Sequence, residues 1–70
     1  MCRFLIVIER AKRNYSACSP DLPGCIATGK TRDEAEKNMY KAIKIHLQGL
    51  LEDHLPIPKS NAISEYIVVS

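Results

Sequence analysis

The sequence predicts an α+β fold with the element order β-β-β-α-β, in which one long helix covers one face of a four-stranded, mostly antiparallel sheet. Three observations support this prediction. β-Branched and aliphatic runs lie near both ends of the chain, two proline-centred turns lie between them, and a capping signal precedes a long amphipathic stretch. The 70 residues suit a single domain, which we take as residues 1–70.

The first predicted strand covers residues 3–9, whose sequence RFLIVIE is aliphatic on both side-chain parities. This pattern is typical of a strand with two covered faces, so we expect an interior strand. The polar residues 11–14 separate it from a second strand at residues 15–18, which completes an antiparallel hairpin. Residues 25–28 form a short third strand.

Two turns share the loop between the second and third strands. Residues 19–22, SPDL, place proline at the second position of a type I turn, and residues 22–25, LPGC, have the Pro-Gly centre of a type II turn. Such a loop is stiff, so little ordering entropy is lost when it docks on a partner. Two interpretations stay open: a tight connector with Leu22 in the core, or a partner-binding surface.

A capping box opens the predicted helix. The Thr31 hydroxyl can accept a hydrogen bond from the Glu34 amide, while the Glu34 carboxylate accepts one from the Thr31 amide. Pro56 and Pro58 cannot continue a helix, so we expect it to end near residues 53–54. The apolar side of this helix comprises Ala35, Met39, Ala42, Ile43, His46, Leu47 and Leu50.

An irregular segment leads from the helix to a final predicted strand, residues 63–69. Apolar side chains of the first and last strands point to both faces of the sheet, whereas the single helix covers one face. We therefore expect a homodimer or a larger homo-oligomer to bury the other face.

Composition argues against several classes of protein. The net charge of +2 is too small, and too mixed with acidic residues, to indicate nucleic-acid binding on its own. The three cysteines lack CxxC spacing and the first apolar run is too short for a signal peptide, so we expect a cytoplasmic setting. No run approaches the ~20 apolar residues of a membrane helix.

The acidic residues do not point to an active site. Two-metal phosphodiester hydrolysis needs carboxylates that converge on ions ~4 Å apart. The candidate carboxylates are Glu9, Asp21, Asp33, Glu34 and Glu65. Asp33 and Glu34 already have roles at the helix N-terminus. We therefore predict no catalytic residue and no cofactor.

Packing is the better explanation for the histidines and cysteines. His46 lies on the apolar side of the helix, where a packed histidine is commoner than a ligand. The loop could bring Cys18 and Cys25 together with His46, but zinc-ligand spacing is absent, so we interpret the thiols as small buried hydrophobic groups and predict no metal site. His54 is expected to interact with the last carbonyl groups of the helix.

The loop and the helix start also form a specific pattern. PDLPGC at residues 20–25 is followed by G-x-T-x-x-E-A at residues 29–35, with Tyr-Ser-Ala at residues 15–17 and His-Leu at residues 46–47. Over essentially the whole chain this pattern resembles the HicB antitoxin family. The resemblance implies a truncated RNase H-like domain that binds and blocks a small partner ribonuclease, the HicA toxin.

From this resemblance we expect a non-enzymatic, antitoxin-like protein that occludes a HicA-type, mRNA-cleaving toxin. The residues expected to contact the toxin are Tyr15, Pro20, Asp21, Leu22, Pro23 and Gly24. Many members of the family carry an additional C-terminal helix-turn-helix or ribbon-helix-helix module for operator DNA. The sequence runs to Ser70, so we expect no operator-binding module.

An alternative function uses the polar side of the helix. Lys37, Lys41 and Lys44 fall on that side and can meet RNA phosphates, as in a stand-alone RNA-binding or degenerate nuclease-like domain. Lysine rows of this kind are also common on helix faces that are simply solvated. Salt-sensitive RNA binding would distinguish the two interpretations.

Overall fold

The computed structural model describes residues 3–70, which form a three-stranded antiparallel sheet and one helix. Strands β1, β2 and β3 are Val7–Arg10, Tyr15–Cys18 and Ile26–Gly29, and helix α1 is Arg32–Glu52. The sheet order is β1-β2-β3, with antiparallel pairing at both junctions. The α+β class and the first four predicted elements are confirmed.

Strand β1 begins at Val7, four residues later than predicted, because a proline follows its partner strand β2. The register pairs Val7 with Cys18, so continuing the ladder would place Leu5 opposite Pro20. Proline has no amide hydrogen to donate, which ends regular pairing. Residues 3–6 therefore form a lead-in to β1 rather than part of the strand.

The prediction of a fourth strand at residues 63–69 is wrong for the described chain, residues 3–70. These residues lie outside any strand, and their large apolar side chains are between 84% and 103% exposed. β propensity produces a strand only where a neighbouring backbone supplies hydrogen bonds, and none is supplied to this segment within the described chain. Consequently β1 is an edge strand rather than the interior strand predicted, and the RNase H-like arrangement is not confirmed.

Helix α1 packs against the sheet through its first half. The buried core comprises Ala17, Leu22, Cys25, Ala35 and Met39. Close contact between β3 and the helix start depends on Gly29, where an added Cβ would lie 2.8 Å from the backbone carbonyl carbon of Glu34. A side chain at that position would push the helix away from the sheet.

Both ends of α1 have defined caps. The Thr31 hydroxyl accepts a hydrogen bond from the Glu34 amide at 3.1 Å, as predicted, but the Glu34 carboxylate accepts from the amide of Lys30 at 3.3 Å rather than from that of Thr31. At the other end the helix closes after Glu52 in a Schellman motif. There the amide of Leu55 donates to the Leu50 carbonyl at 2.8 Å.

His54 occupies the position of this motif that is usually glycine. Its backbone has a positive φ of 56°, and its amide donates to the carbonyl oxygen of Leu51 at 3.2 Å. The predicted interaction with a terminal carbonyl is therefore made by the backbone of His54.

Candidate partner-binding site

The loop between β2 and β3 contains the two predicted turns. The amide of Leu22 donates to the carbonyl oxygen of Ser19 at 3.2 Å, and the amide of Cys25 donates to that of Leu22 at 3.1 Å. Gly24 has φ 83°, the left-handed conformation that the third position of a type II turn requires. Two consecutive hydrogen-bonded turns fix the path of the loop.

Side chains of the loop also bind the lead-in to β1. The Ser19 hydroxyl donates to the carbonyl oxygen of Leu5 at 2.7 Å, and the Leu5 amide donates to the Asp21 carboxylate at 2.9 Å. The Ser19 hydroxyl thus takes the place of the amide hydrogen that Pro20 lacks, and the Asp21 carboxylate satisfies the Leu5 amide. The loop is thus held to the sheet on the side of β1.

Asp21 also binds a part of the chain that is far away in sequence. Its carboxylate accepts from the Ser60 hydroxyl at 2.6 Å and from the Asn61 amide at 3.3 Å. The bond from Ser60, followed by that from Leu5, lowers the pKa of Asp21 below its ordinary value of 3.8, because both favour the charged carboxylate. Asp21 therefore joins the loop, the lead-in and the segment after the helix.

The residues expected to contact a partner differ in accessibility. Pro20, Pro23 and Gly24 are exposed, and Tyr15 is half-buried. Leu22 is only 1% exposed, which contradicts a direct contact through its side chain and agrees with the alternative interpretation of Leu22 as a core residue. The loop thus presents its prolines and glycine while its leucine anchors it.

The lysine side of α1 is exposed as predicted but is electrostatically mixed. Lys37, Lys41 and Lys44 are all exposed, and Asp33 and Glu36 lie on the same surface. The ammonium group of Lys44 lies 5.5 Å from the centre of the Tyr40 ring, within the range of a cation–π contact.

The candidate metal and catalytic residues do not meet. Within residues 3–70, no three histidine, cysteine, aspartate or glutamate side chains are placed to hold a metal ion. Cys25 is buried, and burial raises the pKa of its thiol, whereas Cys18 is exposed. The description of the thiols as small buried groups therefore holds for Cys25 and is wrong for Cys18.

Sequence reasoning missed two features of this region. The first is the contact of Asp21 with residues 60–61, which no local pattern signals because about 40 residues intervene. The second is a groove of about 300 Å³ between the lead-in and the helix, which we call the β1 groove. Its lining residues are Phe4, Ile6, Glu36, Met39, Tyr40, Ile43, Lys44 and Leu47.

Three relatives of known sequence resemble the chain. A 14.9 kDa protein from the rep-hol intergenic region of Haemophilus phage HP1 is 45% identical over 62 residues, covering 89% of the chain and 47% of the phage protein. A UPF0150 protein of Synechocystis is 39% identical over 70% of the chain and 62% of its own length. A UPF0150 protein of Thermoplasma acidophilum is 33% identical over 86% of the chain and 88% of its own length. The chain thus spans about half to two thirds of the first two relatives.

A solved structure and a family model agree with each other. A chain of the HicA3 and HicB3 toxin-antitoxin complex superposes with a TM-score of 0.62 and 26% identity, over 77% of this chain and 66% of that one. The model of the HicB-like antitoxin of bacterial toxin-antitoxin systems matches residues 4–69. The chain therefore belongs to the HicB-like antitoxin family.

Proposed function

We propose that this chain is a non-enzymatic antitoxin that binds and occludes a HicA-type, mRNA-cleaving ribonuclease. Membership of the HicB-like family carries the proposal, and the resemblance to a chain of a toxin-antitoxin complex supports it. We further propose that it acts in the cytoplasm as a single domain and as a homo-oligomer. No helix in residues 3–70 has the combination of length and hydropathy that a membrane span requires.

The preorganised loop is the contact surface we favour. Its exposed residues are Pro20, Pro23 and Gly24, and its path is fixed by two turn hydrogen bonds and by the bonds of Ser19 and Asp21 to Leu5. A rigid loop loses little conformational entropy on binding, so its contacts contribute more of their energy to affinity. The prolines supply apolar contact area on the loop, whereas Tyr15 lies at the opposite end of the central strand β2.

Copurification tests the proposed partner. The tagged chain is co-expressed with a HicA-like protein, sought first among the neighbouring genes, and a complex that survives affinity and size-exclusion chromatography is expected. Pro23→Asp places a charge on the exposed loop and should weaken the complex. Ile45→Asp adds the same charge at an isoleucine that is 71% exposed on the helix, so it serves as the matched control. Failure of the unmodified chain to retain the HicA-like protein would contradict the proposal.

The exposed lysines support a second candidate function, RNA binding by the helix face. Because Asp33 and Glu36 share the surface, we rank it below toxin binding. It predicts that the RNA affinity falls with salt, and that Lys37→Glu with Lys41→Glu reduces the log-log slope by about 0.7 for each lost phosphate contact. RNA binding that is undetectable at low salt would exclude this candidate.

A further inference from the structure

Residues 63–69 have the composition of a β-strand, but they lie outside any strand and are exposed to solvent. Its sequence, ISEYIVV, contains one charged residue and five large apolar ones. The apolar residues are Ile63, Tyr66, Ile67, Val68 and Val69, and each is at least 84% exposed. Unpaired strands that face water usually carry lysine, proline or several charges, which this segment lacks. Its surface therefore calls for a covering partner.

The complementary surface lies on the same chain. Within residues 3–70, β1 pairs with β2 alone, so its outer edge offers free amide and carbonyl groups. Beside the lead-in to that edge lies the β1 groove, where Phe4 and Ile6 face Tyr40 and Ile43 of the helix. A strand added along β1 would find backbone partners at the edge and apolar contacts in the groove.

Asp21 holds the start of the 63–69 segment beside the β1 edge, although the segment does not pair with β1 of its own chain. Through Ser60 and Asn61, the Asp21 carboxylate holds the chain near Leu5, and Ile63 shares a small concavity with Phe4. Beyond that point the chain leaves its own sheet, and Tyr66 is fully exposed. Seven residues of extended chain span about 23 Å, which is ample to reach a neighbouring molecule.

We propose that residues 63–69 of each chain pair with the β1 edge of a second copy and fill its β1 groove. Every copy carries both the strand and its receptor, so two copies close a reciprocal, two-fold interface. Stable dimers bury roughly 800 Å² per partner. Each chain contributes one exchanged strand and receives another, and each strand has five large apolar side chains, so the interface buries an area of that order. The inference rests on the homo-oligomer of the proposed function and names the surfaces that form it.

The segment is apolar on both of its faces. Ile67 and Val69 lie on one parity and Tyr66 and Val68 on the other, so both faces of the added strand are apolar. One of these faces enters the β1 groove of the second copy, and the other lies on the side of the sheet away from the helix.

Light scattering coupled to size-exclusion chromatography gives the first test on the full chain. We expect twice the chain mass of 7.9 kDa for the unmodified protein. Ile67→Lys should raise the dimer dissociation constant at least about 100-fold, because it replaces a buried aliphatic group with a charge. Ile45→Lys, which changes an isoleucine that is 71% exposed on the helix, is the matched control and should leave the dimer intact.

Isotope-filtered NMR on a mixture of labelled and unlabelled chains gives the second test. Contacts between the methyl groups of residues 67–69 of one copy and the Phe4 or Tyr40 ring of the other are expected. A dimer without these contacts, or with them only inside one chain, would overturn strand exchange while leaving the homo-oligomer standing. A monomer at all concentrations would overturn both the strand exchange and the homo-oligomer. Far-UV circular dichroism of Ile67→Lys is the folding control, and we expect the helix signal of the unmodified protein.

Discussion

At the scale of single residues, Asp21 is the position at which the structure adds most to the sequence. Its place between two prolines predicts an exposed recognition residue. In the structure it instead accepts hydrogen bonds from Leu5, Ser60 and Asn61. The carboxylate therefore holds the loop rigid, and we assign the proposed partner contact to the exposed residues around it.

Acid should weaken this anchor. The pKa of Asp21 is lower in the folded chain than its ordinary value of 3.8, so the carboxylate stabilises the fold above that value and the stabilisation is lost as the pH falls through the lowered pKa. Asp21→Asn should therefore lower the free energy of unfolding near neutral pH, and the difference from the unmodified protein should shrink at low pH. Urea unfolding at several pH values measures this difference. In Ser60→Ala, NMR titration should find the Asp21 pKa closer to 3.8. An unchanged pKa would contradict the hydrogen bond.

The two described thiols should react at different rates. Cys18 is exposed, whereas Cys25 is buried and has a raised pKa, so less of it is thiolate and less of it is accessible. In a Cys2→Ser background, iodoacetamide should alkylate Cys18 first, and Cys25 should react only when urea unfolds the chain. Mass spectrometry of digested samples measures both rates. Equal rates in the folded protein would contradict the burial of Cys25.

His54→Gly should stabilise the protein. A residue with a Cβ is strained at a positive φ of 56°, and glycine is relaxed there, although glycine also increases the entropy of the unfolded chain. We expect a net gain of up to about 1 kcal/mol in the free energy of unfolding. Chemical denaturation measures it, with His46→Gly, inside the helix, expected to destabilise. A loss of stability in His54→Gly would mean that the imidazole makes a compensating contact.

At the scale of elements, local signals predict structure well and distant ones do not. The two turns and the N-cap depend on residues three positions apart, and all three occur as the sequence predicts. The start of β1 depends on Pro20, which follows the neighbouring strand β2, and the predicted strand at residues 63–69 depends on a backbone that the described chain does not supply. In each of these two cases the deciding partner lies outside the window that a sequence pattern reads.

Loss of the helix cap should have a defined cost. Thr31→Ala removes the hydroxyl that accepts from the Glu34 amide, and we expect the free energy of unfolding to fall by about 1 kcal/mol. Thr31→Ser keeps the acceptor and should remain within a few tenths of a kcal/mol of the unmodified protein. If both variants lose the same stability, the loss does not come from the hydroxyl.

Core substitutions should rank by burial. Met39 is fully buried between the helix and the sheet, so Met39→Ala should cost about 2 to 5 kcal/mol. Ile6 is half-buried in the lead-in at the sheet edge, so Ile6→Ala should cost less than that. The exposed Ile45 gives the control, since Ile45→Ala should be near neutral. Urea unfolding of the three variants tests the order, and a larger effect at Ile6 than at Met39 would contradict it.

At the scale of the whole molecule, residues 3–70 carry two surfaces to which we assign different proposed uses. The loop around Pro20 and Pro23 is rigid and exposed, which suits a preformed contact with a toxin, while the free edge of β1 and residues 63–69 suit a second copy of the chain. Asp21 belongs to both, because it fixes the loop and places the start of the exchanged segment. Oligomer formation and toxin binding are therefore expected to be coupled through this carboxylate.

Inhibition of RNA cleavage tests the antitoxin claim most directly. A HicA-like ribonuclease, sought first among the neighbouring genes, is incubated with an RNA substrate and with increasing amounts of this protein. We predict that cleavage falls in proportion to the protein added and stops near equivalence, and that Pro23→Asp inhibits less than Ile45→Asp does. Cleavage that continues undiminished in the presence of excess folded protein would contradict the account.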